Sequence, residues 1–230
     1  MKRAQGFTLI ELAIVLVILT IMIGGLAVPL SAQIQARRVA DTNRTLEEAR
    51  EVIIGYAMSH KTAAARPYLP CPDADGDGHE DARSPAGACL QNQGWFPWVT
   101  LGAASQDAWG NRLRYRVTGE FANSETGIPS GDGDLRLCSA SGCAKVDVAD
   151  HVPVVLISHG PNGRGALNVN GNTMAAPSSV DEQENTDDDP DFVSRIPARA
   201  DHASGEFDDL AVWISADLLR SRVCPAGGCP

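Results

Sequence analysis

The first part of the chain carries an apolar run from Phe7 to Leu30 that is broken by one carboxylate, Glu11. As a helix, a run of this length reaches about 36 Å and covers the hydrocarbon core of a bilayer, which is about 30 Å thick. Lys2 and Arg3 precede the run, so the positive-inside rule keeps the first residues cytoplasmic and sends the rest of the chain across. The pattern predicts that this run forms a membrane-spanning helix.

Residues 31–60 show a different pattern, in which apolar positions recur at spacings of three and four. This spacing places them on one face of a helix. Charged residues take the other faces, with Arg44 and Glu48 as an opposite-charge pair one turn apart. A series of prolines after His60 ends the helix, which we predict to pack on a sheet of the same chain, with a two-stranded coiled coil as the alternative. The apolar stripe comprises Val39, Thr42, Leu46, Ala49, Ile53 and Tyr56.

Residues 61–230 predict a globular domain of short strands. The segment 61–110 is rich in Gly, Pro, Asp and Asn without a sustained period, which indicates a long ordered loop. Apolar runs predict the strands that follow, and short connections between the first four favour an antiparallel meander. The predicted fold is α+β, with a long N-terminal helix packed against an antiparallel β-sheet with extended loops. The predicted strands are 112–117, 134–138, 145–148, 152–158 and 209–214.

Charge and cysteine content narrow the class of protein. A formal net charge of −10 argues against nucleic acid as a partner, because that needs a basic surface, whereas metal cations suit an acidic chain. The six cysteines allow several pairings, of which we favour disulfides between sequence neighbours; a zinc site is the alternative, although the histidines lack ligand spacing. Disulfides indicate an oxidising compartment outside the cytoplasm. The local pairs are Cys71 with Cys89, Cys138 with Cys143, and Cys224 with Cys229.

The stretch KRAQGFTLIELAIVLVILTIMIGGL has a short basic leader, a Gly-Phe bond and a glutamate as the fifth residue after that bond. It resembles the class III signal of type IV prepilins and of type II secretion pseudopilins. The resemblance implies that a prepilin peptidase in the membrane cuts between Gly6 and Phe7 and methylates the new amino group of Phe7. It also implies that Glu11 is needed for assembly with other pilin or pseudopilin subunits.

The charge of Glu11 agrees with this resemblance. A carboxylate in lipid is costly by itself, and cleavage after Gly6 leaves a positive amino group on Phe7 at a similar depth. Pairing Glu11 of one subunit with Phe7 of the next favours correct stacking, because misplaced subunits leave each charge unpaired. Two alternatives remain, namely a secretory signal peptide cut after Ala32 and a plain anchor that tolerates Glu11.

Pattern and resemblance together predict how the chain is organised. Residues 1–6 are a cleaved leader, 7–30 the transmembrane half of the N-terminal helix, and 31–60 its amphipathic half. Residues 61–230 are a periplasmic or extracellular pilin-like domain. We expect the protein first in the inner membrane, as a single-pass subunit with its domain in the periplasm. After assembly we expect it in a pilus or pseudopilus, with the cell surface as a further location.

A second resemblance concerns the stretch DAWGNRLRY. It resembles the Asp-x-Trp-Gly-Asn-x-x-x-Tyr element of the major pseudopilins of type II secretion, where the element enters the sheet that packs on the helix. The chain departs from that subfamily in its greater length, its three cysteine pairs and its insertion over residues 61–100. These departures argue against the main subunit of a secretion pseudopilus.

Aspartates after Cys71 point to a calcium site. In CPDADGDGHEDARS, four aspartates occupy positions 1, 3, 5 and 9 of a calcium-loop pattern, and Gly78 occupies position 6, where a sharp turn is needed. Ser84 stands where a bidentate Glu is usual, so the loop resembles the Asp repeats of extracellular calcium modules. The alternative is a solvated acidic turn without metal. The candidate Ca²⁺ ligands are Asp73, Asp75, Asp77 and Asp81.

A second acidic stretch, DEQENTDDDPD, covers residues 181–191 and contains no base. Like-charge runs of this kind are typical of mobile surface loops. The pseudopilins that the chain resembles hold calcium in a C-terminal loop before the last strand, which implies a weaker second calcium site here. Its candidate ligands are Asp187, Asp189, Asp191 and Asp208, with Asp209 beside the last of them.

The sequence contains no strong catalytic signal. Ser158 and His159 are adjacent at the end of an apolar strand and point to opposite faces, and GPNGRG lacks the Lys-Ser/Thr of a phosphate loop. We therefore expect a structural subunit, a minor pilin of a type IV pilus-like filament, and not an enzyme. The alternatives are a type II secretion pseudopilin that acts in protein export and a calcium-stabilised adhesive or recognition subunit at a filament tip.

Overall fold

The computed structural model describes residues 8–224 and Cys229, with their side chains except those of 23–29. The chain divides into two compact units, Met1–Ala40 and Asp41–Pro230. The predicted α+β fold is confirmed, since a long N-terminal helix is combined with antiparallel strands.

The long helix, α1, covers Leu9–Ser59 and ends one residue before the predicted end at His60. In the second unit, the predicted apolar stripe is buried from Thr42 to Tyr56. It shares a hydrophobic core with the strands, which confirms that this part of the helix packs on a sheet of the same chain. Among the residues that the structure describes, no helix combines the length and the apolar character needed to cross a membrane.

Strands and short helices follow α1. The strands are β1 (Gln93–Trp95), β2 (Arg114–Val117), β3 (Leu135–Cys138), β4 (Ala149–Val152), β5 (Val154–Ser158), β6 (Asp191–Val193) and β7 (Leu210–Ile214). The helices are α2 (Trp98–Leu101), α3 (Val180–Glu184) and α4 (Ala216–Val223), with a 3₁₀ turn over Gly119–Ala122. The predicted strand 145–148 is wrong, because Asp147 accepts two hydrogen bonds of 2.8 Å from Ser139 and holds this segment in a loop.

The strands form two sheets in place of the predicted meander. The first sheet has the order β1-β2-β5-β7 and is antiparallel throughout. The second has the order β4-β3-β6, in which β3 pairs antiparallel with β4 and parallel with β6. The predicted meander is therefore wrong, because β2 pairs with β5 and β3 belongs to the other sheet.

The composition of β5 explains the second sheet. Every residue of this strand is buried, so both of its faces need cover. Val154 and Leu156 pack in the core that includes α1, whereas Val155 and Ile157 pack in a second core with residues of β3 and β6. With only one sheet packed on α1, Val155 and Ile157 would be exposed to water. Burying one such side chain stabilises the folded state by about 1.5–3 kcal/mol. The second sheet supplies that cover.

The long segment before β2 is ordered, as predicted, and it also contains β1 and α2, which the residue pattern does not reveal. The disulfide Cys71–Cys89 closes part of it, with Cα atoms 5.5 Å apart. The pairs Cys138–Cys143 and Cys224–Cys229 are also disulfides. The prediction of disulfides between sequence neighbours is therefore confirmed.

The DAWGN element ties α1 to the first sheet. Asp107 is buried, and its Oδ1 accepts a hydrogen bond of 3.0 Å from the backbone N of Asn111. Its Oδ2 accepts one of 2.7 Å from Oγ of Ser158 at the end of β5. The backbone N of Ala108 donates to Oγ1 of Thr42 on α1 at 3.1 Å. These bonds give Ser158 a structural role at the junction.

Candidate functional site

Glu11 is hydrogen-bonded within its own helix. Its Oε2 accepts bonds from the backbone N and Oγ1 of Thr8 at 2.8 and 2.9 Å, and Oγ1 of Thr8 accepts one from the backbone N of Glu11 at 3.3 Å. This is a capping box, in which a Thr and a Glu three residues later satisfy the first amides of a helix. Thr-x-x-Glu before an apolar run is its sequence signature, and residues 8–11 of this chain carry it. Gly6 and Phe7, the predicted processing positions, lie outside the described residues.

The first predicted calcium loop brings three of its four aspartates together. Carboxylate oxygens of Asp73, Asp75 and Asp81 lie within 4.8 Å of one another. Asp77 is outside this group, and its Oδ1 accepts a hydrogen bond of 2.7 Å from the backbone N of His79. Burial raises the pKa of Asp73. The loop thus has a group of carboxylates that is able to hold a metal ion.

The carboxylates of this loop also have backbone partners. Asp73 is fully buried, and its two oxygens accept hydrogen bonds from the backbone N of Gly76 at 2.7 Å and of Gly78 at 2.8 Å. Oδ2 of Asp81 accepts one from the backbone N of Ala74 at 3.1 Å. The same geometry therefore serves an acidic turn that is closed by its own side chains.

A second cluster is more deeply buried. Glu182 of α3, which the sequence did not single out, and Asp208 and Asp209, directly before β7, place carboxylate oxygens within 4.8 Å of one another. Glu182 and Asp209 are 0% and 4% exposed. In the part of the chain that the structure describes, Oε2 of Glu182 and Oδ1 of both aspartates are buried and accept no hydrogen bond.

Amide groups around this cluster reach only some of its oxygens. Asn162 donates to Oε1 of Glu182 from its side chain and to Oδ2 of Asp208 from its backbone, each at 3.1 Å. Asn185 donates to Oδ2 of Asp209 at 2.8 Å. One oxygen of each carboxylate is therefore held in place, while the other is buried and accepts no hydrogen bond from the residues that the structure describes.

Burial and mutual repulsion act together on these acids. Burial, followed by the charge of Glu182, raises the pKa of Asp208 to about 7. Burial, followed by the charge of Asp209, raises the pKa of Glu182. His159 is fully buried beside the cluster, with Nδ1 3.5 Å from Oδ1 of Asp209. Buried acids with free oxygens are costly unless a cation or protons compensate them, so the cluster has the chemistry of a site for a hard cation.

The structure divides the weaker predicted calcium set between two places. Asp208 belongs to the buried cluster. Asp189 and Asp191 lie in a third group with Glu184, whose carboxylate oxygens also lie within 4.8 Å of one another. Asp187 belongs to neither group. The four residues therefore do not form one site.

Residues 181–191 are not the mobile surface loop that their charge predicts. The segment contains α3, which has two buried acids. Arginines from the sheets hold the remainder: Arg136 of β3 donates two hydrogen bonds of 2.6 Å to Asp191, and Arg116 of β2 pairs with Asp188 at 2.7 Å. The prediction fails because the bases that neutralise the run are distant in sequence.

The raised pKa of Asp208 predicts how stability depends on pH without metal. Its value of about 7 in the folded protein exceeds the ordinary value of 3.8, so the folded state binds this proton more tightly than the unfolded state. The stabilisation is present below about pH 4 and is lost as the pH rises through about 7. We expect the free energy of unfolding, measured by denaturant titration with a chelator, to fall between about pH 5 and about pH 7.5. Asp208→Asn is expected to flatten this slope, and a rise over that range contradicts the assignment.

Comparison with known proteins bears on the N-terminal segment. Residues 1–27 match the family model described as the prokaryotic N-terminal methylation motif. No curated protein and no solved structure matches the chain. The match confirms that the chain carries a class III signal of the type IV pilin kind. Such a motif implies processing by a prepilin peptidase and assembly with other pilin-like subunits, which are structural proteins.

Proposed function

We propose that this protein is a minor pilin, a structural subunit of a type IV pilus-like filament, and that it is not an enzyme. The observation that supports this most is the methylation motif at residues 1–27. In this proposal a prepilin peptidase removes residues 1–6 and methylates the amino group of Phe7. The partners are this peptidase, the membrane and other pilin subunits, and they do not include nucleic acid.

The proposed organisation follows from the sequence pattern. Residues 7–30 anchor the subunit in the inner membrane, and residues 31–60 carry the helix into the periplasm. Residues 61–230, with their disulfides, form the head, which moves to the filament when the subunit is assembled. An oxidising periplasm agrees with the three disulfides of the head.

We assign to Glu11 the role of setting the axial position of each subunit relative to its neighbour. Both hydrogen bonds from Thr8 go to Oε2, so Oε1 is the atom that we assign to the N-terminal amino group of the neighbouring subunit. A buried ion pair adds little net stability but is costly to break, and it therefore rewards one stacking position over others.

Calcium is proposed as the cation of the head. Ca²⁺ binds carboxylate oxygens, and the free buried oxygens of Glu182, Asp208 and Asp209 make their cluster the stronger of the candidate sites. The loop with Asp73 and Asp81 is the second candidate. Bound calcium neutralises the cluster and fixes α3 against the segment before β7, which stabilises this side of the head.

Two further functions remain as alternatives. The DAWGN junction, which ties α1 to β5 as the resemblance implies, favours a type II secretion pseudopilin. The ordered loops at residues 61–100 and 170–205 favour an adhesive subunit at a filament tip.

Immunogold labelling of cells and of sheared filaments separates these functions. A minor pilin is expected at sparse positions within the filaments, together with other subunits. Labelling confined to tips supports the adhesive subunit, and absence from surface filaments, with protein retained in the periplasm, supports the pseudopilin.

A further inference from the structure

Three of the four sheet edges in the described part of the chain are closed or irregular. At β1, the backbone N and O of Trp95 bond to the backbone of Asp73 at 2.6 and 3.0 Å. At β6, the side-chain amide of Asn185 bonds to the backbone N and O of Val193 at 2.8 and 3.0 Å. At β4 the register is irregular, and His151 lies in the left-handed region with φ 54°. Such edges do not accept a further strand.

β7 is the fourth edge strand, and its outer side is open. Successive residues of an antiparallel strand direct their backbone groups to opposite sides. The backbone N of Thr118 donates to O of Pro153 at 2.8 Å, so Pro153 and every second residue after it in β5 face β2. Through the pairing of β5 with β7, Ala211 and Trp213 then direct their N–H and C=O groups outward. No residue that the structure describes bonds to these four groups.

A groove of about 440 Å³ lies along this open edge, between β7, α4 and α1. Its wall on the side of α1 is polar, with exposed Asn43 and the pair of Glu47 with Arg50 at 2.6 Å. On the opposite face of the sheet, Trp213 is half-buried and packs on the second hydrophobic core. The edge ends at Ser215, the N-cap residue of α4. The groove therefore has room for a short extended backbone with one polar and one apolar side.

We infer that an extended segment of a different pilin-like subunit pairs with the open edge of β7. Backbone hydrogen bonds to Ala211 and Trp213 hold this segment, and its side chains alternate between the two sides of the groove. Its polar side chains face Asn43 and Glu47, and its apolar side chains face Trp213. The inference rests on the proposed filament and adds the surface by which this subunit recognises a neighbour.

A second copy of the chain does not suit this edge in a filament. Two copies that join through the same open edge are related by a two-fold axis. Subunits that are added in one direction from the membrane follow one another head to tail, and this arrangement has no such axis. The subunit is also proposed at sparse positions, so its neighbours are other subunits. The partner segment therefore belongs to a different chain.

The pairing is weak by itself and depends on assembly. Each backbone hydrogen bond to the new strand replaces a bond to water, so its net contribution to binding is small. The membrane helices bring the two subunits together first, which raises the effective concentration of the segment at β7. The edge therefore favours a neighbour that carries a matching segment over one that lacks it.

Hydrogen exchange of the assembled subunit tests the pairing directly. The full-length chain is compared in sheared filaments and in detergent solution, with exchange resolved at single amides by mass spectrometry. The amides of Ala211 and Trp213 are expected to exchange at least about tenfold more slowly in filaments, because the new strand accepts their hydrogen bonds. The amide of Val212 is the internal control, since it faces β5 in both samples. Equal exchange of Ala211 and Trp213 in the two samples overturns the inference.

Proline at the open edge gives an independent readout. Ala211→Pro removes an outward N–H and none of the bonds to β5, so the variant is expected to fold while its share in filaments falls about tenfold. Ala200→Pro is the matched control, because Ala200 lies in an exposed turn and its backbone N bonds to no described residue. Assembly of Ala211→Pro at the wild-type level overturns the inference.

Photocross-linking identifies the chain that occupies the groove. A full-length chain with p-benzoylphenylalanine at the position of Asn43 is expected to cross-link, in filaments, to one segment of a different pilin-like subunit. Cross-links to β7 of a second copy, or to several unrelated segments, contradict this. If the wild-type chain is present in filaments but these results are not obtained, the edge inference is wrong and the pilin proposal stands. If the wild-type chain is absent from filaments, both are wrong.

Discussion

Filaments from cells that produce the Glu11→Ala variant are expected to lack that variant, although it is cleaved and inserted in the membrane normally. The substitution leaves the N-terminal amino group of the neighbouring subunit without a counter-charge in lipid, and loss of one partner of a buried ion pair has a large effect. We expect its share of sheared filaments, relative to its level in membranes, to fall roughly 100-fold or more. Quantitative immunoblotting of the two fractions measures this ratio.

The capping box makes a sharper version of this experiment possible. Glu11→Gln keeps a side chain that can accept the bonds from Thr8 and removes only the charge, since Gln also serves in a capping box. Thr8→Val keeps the charge and removes the hydroxyl of the box. The account predicts that Glu11→Gln is lost from filaments like Glu11→Ala, and that Thr8→Val assembles. The reverse result assigns Glu11 to helix capping alone.

Calcium at about 10 mM is expected to raise the melting temperature of the metal-free protein in detergent by roughly 3–10 °C. Extracellular calcium modules have dissociation constants of about 10⁻⁴–10⁻³ M, so this concentration stabilises the folded state by about 1.4–2.7 kcal/mol. One kcal/mol corresponds to about 2–4 °C for a domain of this size. Differential scanning calorimetry with a chelator and then with calcium measures the shift, and magnesium at the same concentration is the control for cation type.

Variants locate the calcium within the head. Asp209→Asn and Glu182→Gln remove charge from the buried cluster and are expected to abolish the shift. Asp75→Asn removes a carboxylate of the first loop and is expected to retain it. A shift that survives Asp209→Asn but disappears in Asp75→Asn moves the site to the first loop, and no shift in the wild-type protein removes the calcium proposal altogether.

Helix and strands were predictable where one local pattern decides the structure. The stripe from Thr42 to Tyr56 predicts which face of α1 is buried, because helical spacing depends only on neighbouring residues. The apolar run of β5 predicts a strand, but it does not say which strands lie on either side. That order depends on the second sheet, whose pairing of β3 with β6 joins residues that are far apart in sequence.

Candidate sites were predictable only in part for a similar reason. The spacing of Asp73, Asp75 and Asp81 indicates their proximity, since a tight loop brings alternate residues together. Nothing local shows that Glu182 is buried while nearby Asp188 is bound by an arginine of β2. Charge alone predicts exposure for both. Glu182 differs from Asp188 in burial only because α3 packs against the segment before β7, and this contact joins residues that are distant in sequence.

The proposed function depends on one step. Cleavage after Gly6 exposes an amino group on Phe7, and this group pairs with Glu11 of a neighbouring subunit. Mass spectrometry of the N-terminal peptide, from protein purified out of the native membrane and from sheared filaments, tests it most directly. The account predicts a mature chain that starts at Phe7 with a methylated amino group. A chain that still starts at Met1, or one that starts at Gln33 after cleavage by a signal peptidase, contradicts it.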